Sequence, residues 1–229
     1  MFGIFIFYSV YLKLSSRCRI QVFRYVTDTP RHTVLPWGHL AFGYLVYSLG
    51  QRAVRRRPPT DLPTIALVVG TQLPDLVDKP LNWWFGVFDG RGAGHSLLVM
   101  GPCCLLVYLL ARRYGYGRLA GGFVTGVLTH LFSDAWLPIL AGDIQIGAPY
   151  LLWPLLPAPT YEKDSLLDHA VALEGSLRSL PWDSPVALLS TWFGAQLGIM
   201  LLLVSLWVYD GVPGLRVVTG GVRTLRTRV

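Results

Sequence analysis

Mostly apolar stretches at 34–49, 62–73, 95–111, 119–137 and 185–209 alternate along the chain with short polar or basic segments. A helix needs about 20 apolar residues to cross a bilayer core, or roughly 17 where its ends snorkel or the bilayer thins. The pattern therefore predicts an all-α, polytopic transmembrane helical bundle of about four or five spans. The stretch at 62–73 is the shortest and runs into Leu73-Pro74-Asp75. Proline lacks an amide hydrogen and restricts the residue before it, so a helix end or break is expected there.

From 141 to 183 the chain turns polar and proline-rich. The run Leu-Leu-Trp-Pro-Leu-Leu-Pro at 151–157 suits an interfacial lip, because tryptophan favours the membrane boundary. Within 162–180, Leu166, Leu167, Val171, Leu173 and Leu177 are spaced for an amphipathic surface helix lying over the bundle as a lid. The chain thus divides into an N-terminal apolar segment with a basic linker (1–33), a transmembrane core (34–140), an extramembrane loop and lid (141–183), a last transmembrane helix (184–210) and a basic tail (211–229). The opening MFGIFIFYSVY fits a short anchor, a signal-like segment without a small-residue cleavage site, or an over-long start.

Composition supports this division. Of the 229 residues, 52% are hydrophobic and 14% charged, whereas soluble domains carry roughly 25% charged residues. The net charge of +7 raises nucleic acid as a partner, but the basic residues cluster at the ends of apolar runs, where membrane orientation explains them. Membrane lipids are the expected partners, and no nucleic acid is. Arg52, Arg55, Arg56 and Arg57, then Arg112, Arg113 and Arg118, then Arg216, Arg223, Arg226 and Arg228 fall on one side of an up-and-down bundle. The positive-inside rule makes that side cytoplasmic in a multi-pass cell-membrane protein. Asp75, Asp78, Asp134, Glu162 and Asp164 gather on the opposite, extracytoplasmic side. The basic stretch at 13–31 runs against this scheme. Cys18, Cys103 and Cys104 have no metal-type spacing and read as packing or lipid-facing residues.

Five ionisable groups lie near the acidic ends of four different runs: His39, Asp75, His95, His130 and Asp134. Charge at mid-span costs about 2.5–3.5 kcal/mol on insertion scales, so such groups point to function. His130 and Asp134, four apart, share a helical face. Individually the bland readings compete: His39 as an interfacial histidine, Asp75 as a helix cap, Ser96 beside His95 as an N-cap. Convergence from four helices is what those readings do not predict. Imidazole and carboxylate without thiolate suit a divalent metal ion, zinc first, with manganese or iron as alternatives. Asp78 is the candidate general base or the residue that holds a ligand in place. Arg91 is the candidate holder of an anionic substrate.

At these residues the chain resembles the YdjM-like family, described as membrane-bound metal-dependent hydrolases. The matching features are Gly38-His39-x-x-x-Gly43, Leu73-Pro74-Asp75 with Asp78, Arg91 followed by Gly94-His95-Ser96, and Thr129-His130-x-x-x-Asp134, together covering about 36–157. The resemblance implies an integral membrane protein in which these histidines and aspartates are the metal ligands. More distantly the pattern is similar to the helical zinc-dependent phospholipase C and nuclease group. Lys79 stands where the family often has a histidine, and Gly90 where another often precedes the arginine, which favours a mononuclear over a multinuclear site. The expected function is metal-dependent hydrolysis of a phosphoester or lipid-linked substrate at the membrane surface. The alternatives are a metal or proton transporter and a non-catalytic membrane scaffold.

Overall fold

The computed structural model describes residues 36–87, 91–140, 149–156 and 166–219. The N-terminal segment and linker (1–33), much of the polar loop (141–148 and 157–165, with Glu162 and Asp164) and the end of the tail (220–229) lie outside the described residues. Those described form helices α1 (Pro36–Arg55), α2 (Asp61–Phe85), α3 (Leu97–Arg113), α4 (Gly117–Leu140), α5 (Leu166–Arg178), α6 (Pro185–Ser190) and α7 (Trp192–Tyr209), with 3-10 turns at Ala93–His95 and Pro149–Leu152. No strand occurs among them.

Local chemistry accounts for most of these boundaries. Pro36 opens α1 with a φ already suited to a first turn, and Arg52 and Arg55 in its last turn complement the helix dipole. Gly86 ends α2 in the left-handed conformation, at φ 61, as helix C-termini favour. The Ser96 side chain accepts the Val99 amide and caps α3.

Two expectations are corrected. The helix expected to stop at Leu73 continues through Pro74 and Pro80 to Phe85. Leu67, Gly70, Thr71, Pro74, Asp78 and Asn82 recur at three- and four-residue spacing and are all buried, so packing along one continuous face outweighs the roughly 3 kcal/mol cost of an interior proline. The run at 185–209 instead breaks into α6 and α7. Thr191 takes an extended conformation there, and its side chain accepts the Gly194 amide to start α7.

α2 and α4 form the most extensive helix pair, with α1, α3 and the Ala93–His95 turn packed around them and α7 against α1. The α2–α4 contact is backbone on backbone. A Cβ on Gly70 would lie 2.2 Å from the Phe123 carbonyl oxygen, and one on Gly126 2.4 Å from that of Leu67, the small-residue contact that lets two helices close up. At the end of the bundle where α1 finishes, the buried Asp210 carboxylate accepts bonds from Tyr44 (2.7 Å), Ser48 (2.6 Å) and the Arg52 guanidinium, joining α7 to α1.

The distribution of polarity is inverted relative to a water-soluble bundle. Thr71, Asp78, Asn82, His95, His130 and Asp134 are buried, whereas Leu105, Leu106, Leu109 and Leu110 of α3 and Leu201 and Leu202 of α7 are exposed. Apolar surface of this extent marks a membrane or protein contact. Among the described residues no helix is long and apolar enough to cross a membrane. α3 has 17 residues, a length of roughly 26 Å; α2 carries the buried Asp78, and α4 the buried His130 and Asp134.

Candidate metal centre

His39 of α1, Asp75 of α2, His95 of the 3-10 turn, and His130 and Asp134 of α4 meet at one end of the bundle. Their spacing follows from the elements that carry them. His130 and Asp134 are one turn apart, with Nε2 of the first 3.8 Å from Oδ2 of the second. The turn carrying His95 folds back over α2 because Asp78, fully buried, accepts three of its backbone amides: Gly92 (2.7 Å), Gly94 (2.8 Å) and His95 (3.1 Å). Gly94 is required at this seat, since a Cβ there would lie 2.6 Å from the Pro74 carbonyl oxygen.

Each imidazole is held through Nδ1. His95 Nδ1 donates to Asp78 Oδ2 (2.8 Å) and His130 Nδ1 donates to the Thr71 carbonyl (2.7 Å). The Ser133 hydroxyl spends its one proton on the His130 carbonyl (2.9 Å), so it accepts from His39 Nδ1 at 2.8 Å. This bonding pattern assigns all three neutral rings the tautomer with a bare Nε2, and the three Nε2 atoms face inward. His95 and His130 Nε2 stand 3.2 Å apart. Carboxylate oxygens complete the ring: Asp134 lies 3.4 Å from His39 and 3.3 Å from His95, and Asp75 Oδ1 lies 3.5 Å from His95 and 4.0 Å from His130.

The cluster is therefore a set of acceptors facing one another. Lone pairs at such separations repel unless a cation lies between them. A proton satisfies one pair; a metal ion satisfies a whole triad at once, either His39-Asp75-His130 or His95-His130-Asp134. The spacing fits: ligands at about 2.1 Å from an ion lie roughly 3–4.2 Å from each other, and the observed separations run from 3.2 to 4.0 Å. Three imidazoles and two carboxylates, with carboxylate, carbonyl and hydroxyl partners behind the rings, form a donor set that holds divalent transition metals. The buried His and Asp groups are thus placed to hold a metal ion.

A profile of the YdjM inner membrane proteins matches residues 34–213. The chain belongs to the YdjM family. That match takes in every helix described and all of the residues that meet at the centre, and its description places the family in the inner membrane. No curated protein and no solved structure matches this YdjM chain.

The other two residues singled out by sequence sit beside the ring. Both oxygens of Asp78 are used by the turn and by His95. Arg91 donates to Asp134 Oδ2 at 2.8 Å and lies over the ring of Tyr150, its guanidinium carbon 5.0 Å from the centroid. Three contributors escaped the sequence reading. Ser133, three residues after His130 and so on the same face, left a signal in its spacing. Lys79, four residues after Asp75, donates to Asp75 Oδ2 at 2.7 Å, and i, i+4 spacing announces that pair. The Thr71 carbonyl leaves no trace in a sequence.

Burial is uneven around the ring. Side-chain exposure is 2% for His39, 1% for His95, 0% for His130 and 3% for Asp134, but 15% for Asp75 and 34% for Lys79. Among the described residues that meet at the centre, Asp75 is the most exposed.

Proposed function

We propose that this YdjM protein is a multi-pass membrane hydrolase that uses one divalent metal ion, zinc first, to cleave a phosphoester or lipid-linked substrate at the extracytoplasmic face. The observation that carries the reading is the cluster of inward-facing acceptors, buried except at Asp75 among the residues that meet there. Such an ion polarises a phosphoryl oxygen and lowers the pKa of bound water. The chain's own residues do the rest. His39, His95, His130, Asp75 and Asp134 bind the ion, and Ser133, Thr71 and Asp78 fix the orientation of the three rings. Arg91, stacked on Tyr150, donates to Asp134 Oδ2, the oxygen that also faces His95 and His130, and so fixes that carboxylate. Both oxygens of Asp78 are taken up by the turn and by His95, which favours positioning His95 over acting as general base.

Placement in the membrane rests on the family, the exposed leucines and the charge pattern. Arg52, Arg55, Arg112 and Arg113 end α1 and α3 at the opposite pole from the centre, which the positive-inside rule orients away from the cytoplasm. Helices shorter than a full span fit a bilayer by local thinning and by snorkelling of such arginines. An open apolar groove between α1 and α4, lined by Phe42, Val46, Thr125, Leu128, Thr129 and Phe132, adds to the apolar outer surface that suits contact with lipid.

The test is metal analysis of purified protein beside His130→Ala and Asp134→Ala, followed by phosphoesterase assays on lipid and nucleotide substrates. Wild type should carry one ion per chain and each variant less than about a tenth of that, since even outer partners of a metal site change affinity 10–100-fold. Equal metal in all three proteins defeats the reading. Bound metal without turnover, together with metal flux into proteoliposomes, replaces the hydrolase with a transporter.

A further inference from the structure

Among the described residues, the metal-centre reading leaves unused the charged side chain of Lys79, which stands beside Asp75, the most exposed of the proposed ligands. Lys79 donates to Asp75 Oδ2 at 2.7 Å, while Oδ1 of the same carboxylate faces His95 and His130. Asp75 thus bridges the metal position and an ammonium group. The ring itself offers places for one ion. The two triads of ligand atoms, His39-Asp75-His130 and His95-His130-Asp134, share His130, whose Nδ1 is committed to the Thr71 carbonyl. One remaining lone pair serves one metal ion, so a second positive charge on this side must come from the protein.

We propose that Lys79 is the substrate-binding cation of the centre, and that the phosphoryl group of an amphiphile binds across the metal position and the Lys79 ammonium. The proposal rests on the metal-centre reading. Lys79 suits the role better than Arg91. An ammonium has three donors, and one on Asp75 leaves two for a ligand, on a side chain 34% exposed; Arg91 is 19% exposed, bonded to Asp134 and stacked on Tyr150. Leu76, three residues before Lys79 on the same helix, is 64% exposed and neighbours it on the helix surface. A phosphate carried on a hydrocarbon chain meets ammonium and ion with its head and this leucine with its tail.

The probe is inorganic phosphate, followed by ³¹P relaxation on the full chain loaded with Mn²⁺ in detergent, so that broadening reports phosphate close to the ion. Wild type should bind one Mn²⁺ and broaden phosphate saturably. Lys79→Gln should keep the Mn²⁺ but bind phosphate about 10- to 100-fold more weakly, as loss of a charge-assisted bond implies, and Lys79→Arg should restore most of it. Phosphatidic acid in mixed micelles should displace phosphate at lower concentration than glycerol phosphate; no displacement by either overturns the proposal. So does unchanged phosphate binding in Lys79→Gln, or loss of Mn²⁺ from it, which would make Lys79 a support for Asp75. Absence of Mn²⁺ from wild type is a different result and removes the metal-centre reading itself.

Discussion

Replacing Asp78 by asparagine keeps the shape of the side chain and removes its charge, which isolates what the carboxylate does. Four donors point at it: the amides of Gly92 and His95 and the His95 Nδ1 at Oδ2, and the amide of Gly94 at Oδ1. An asparagine whose oxygen takes the Oδ2 position keeps three of them and turns its NH₂ toward the Gly94 amide, leaving two donors face to face. The flipped rotamer loses three. The better arrangement still orphans one buried N–H, at about 1–3 kcal/mol, and the surviving bonds lose their charge assistance, roughly half their strength. Against a total stability of about 5–15 kcal/mol the variant should fold but melt several degrees lower. His95 should turn more freely, and metal affinity should fall 10–100-fold, the usual effect of an outer partner of a ligating histidine. Thermal unfolding of the metal-free protein and a chelator competition titration read the two effects separately. A variant that melts lower but binds metal as wild type shows that His95 is not a ligand. One unchanged in both refutes the hydrogen-bond argument as well.

Gly126→Ala should lower stability by about 1–3 kcal/mol, as overpacking does, because its Cβ would lie 2.4 Å from the Leu67 carbonyl oxygen; Gly121→Ala, on the same helix with nothing within 4 Å, should not, and equal melting of the two contradicts the close α2–α4 contact. At the other pole, Asp210 accepts from Tyr44, Ser48 and the Arg52 guanidinium; Asp210→Ala should leave these donors unpaired and lower stability by about 1–3 kcal/mol, and unchanged melting rejects the assignment. In a background with Cys18, Cys103 and Cys104 replaced by serine, Arg57→Cys and Trp84→Cys should react with an impermeant maleimide from opposite sides of sealed vesicles. Labelling from one side contradicts the orientation.

What the sequence revealed and what it hid follow from the range of the forces involved. The α1 to α4 helices were visible because apolar runs and terminal arginines are local signals, and His130 and Asp134 declared a shared face through their spacing alone. The continuation of α2 past Pro74 was not visible, because the residues beyond it are held by a distant segment: Gly94 packs on the Pro74 carbonyl and Asp78 accepts the amides of Gly92, Gly94 and His95. The break at Thr191 was hidden for a similar reason: the residues around it are as apolar as those of α7, and only the capping bond to Gly194 marks it. Convergence of the five ligands could be argued from up-and-down topology, but the bare Nε2 atoms could not, since they depend on a backbone carbonyl and a serine hydroxyl.

The ligands of the centre are strung along most of the membrane core, and this fixes when the centre can exist. A growing chain that has made α1, α2 and the turn at Ala93–His95 possesses His39, Asp75 and His95 but neither His130 nor Asp134. Until α4 arrives the first three lack the partners that would complete either triad, and Gly70 of α2 has no Phe123 backbone to close on. On the proposed reading, capture of an ion would be the closing event of assembly, adding stability only to chains whose α4 is in register, by an amount that grows with the free metal as RT ln(1 + [M]/Kd). Metal supply would be read out as a yield of finished protein before it is read out as a rate of catalysis.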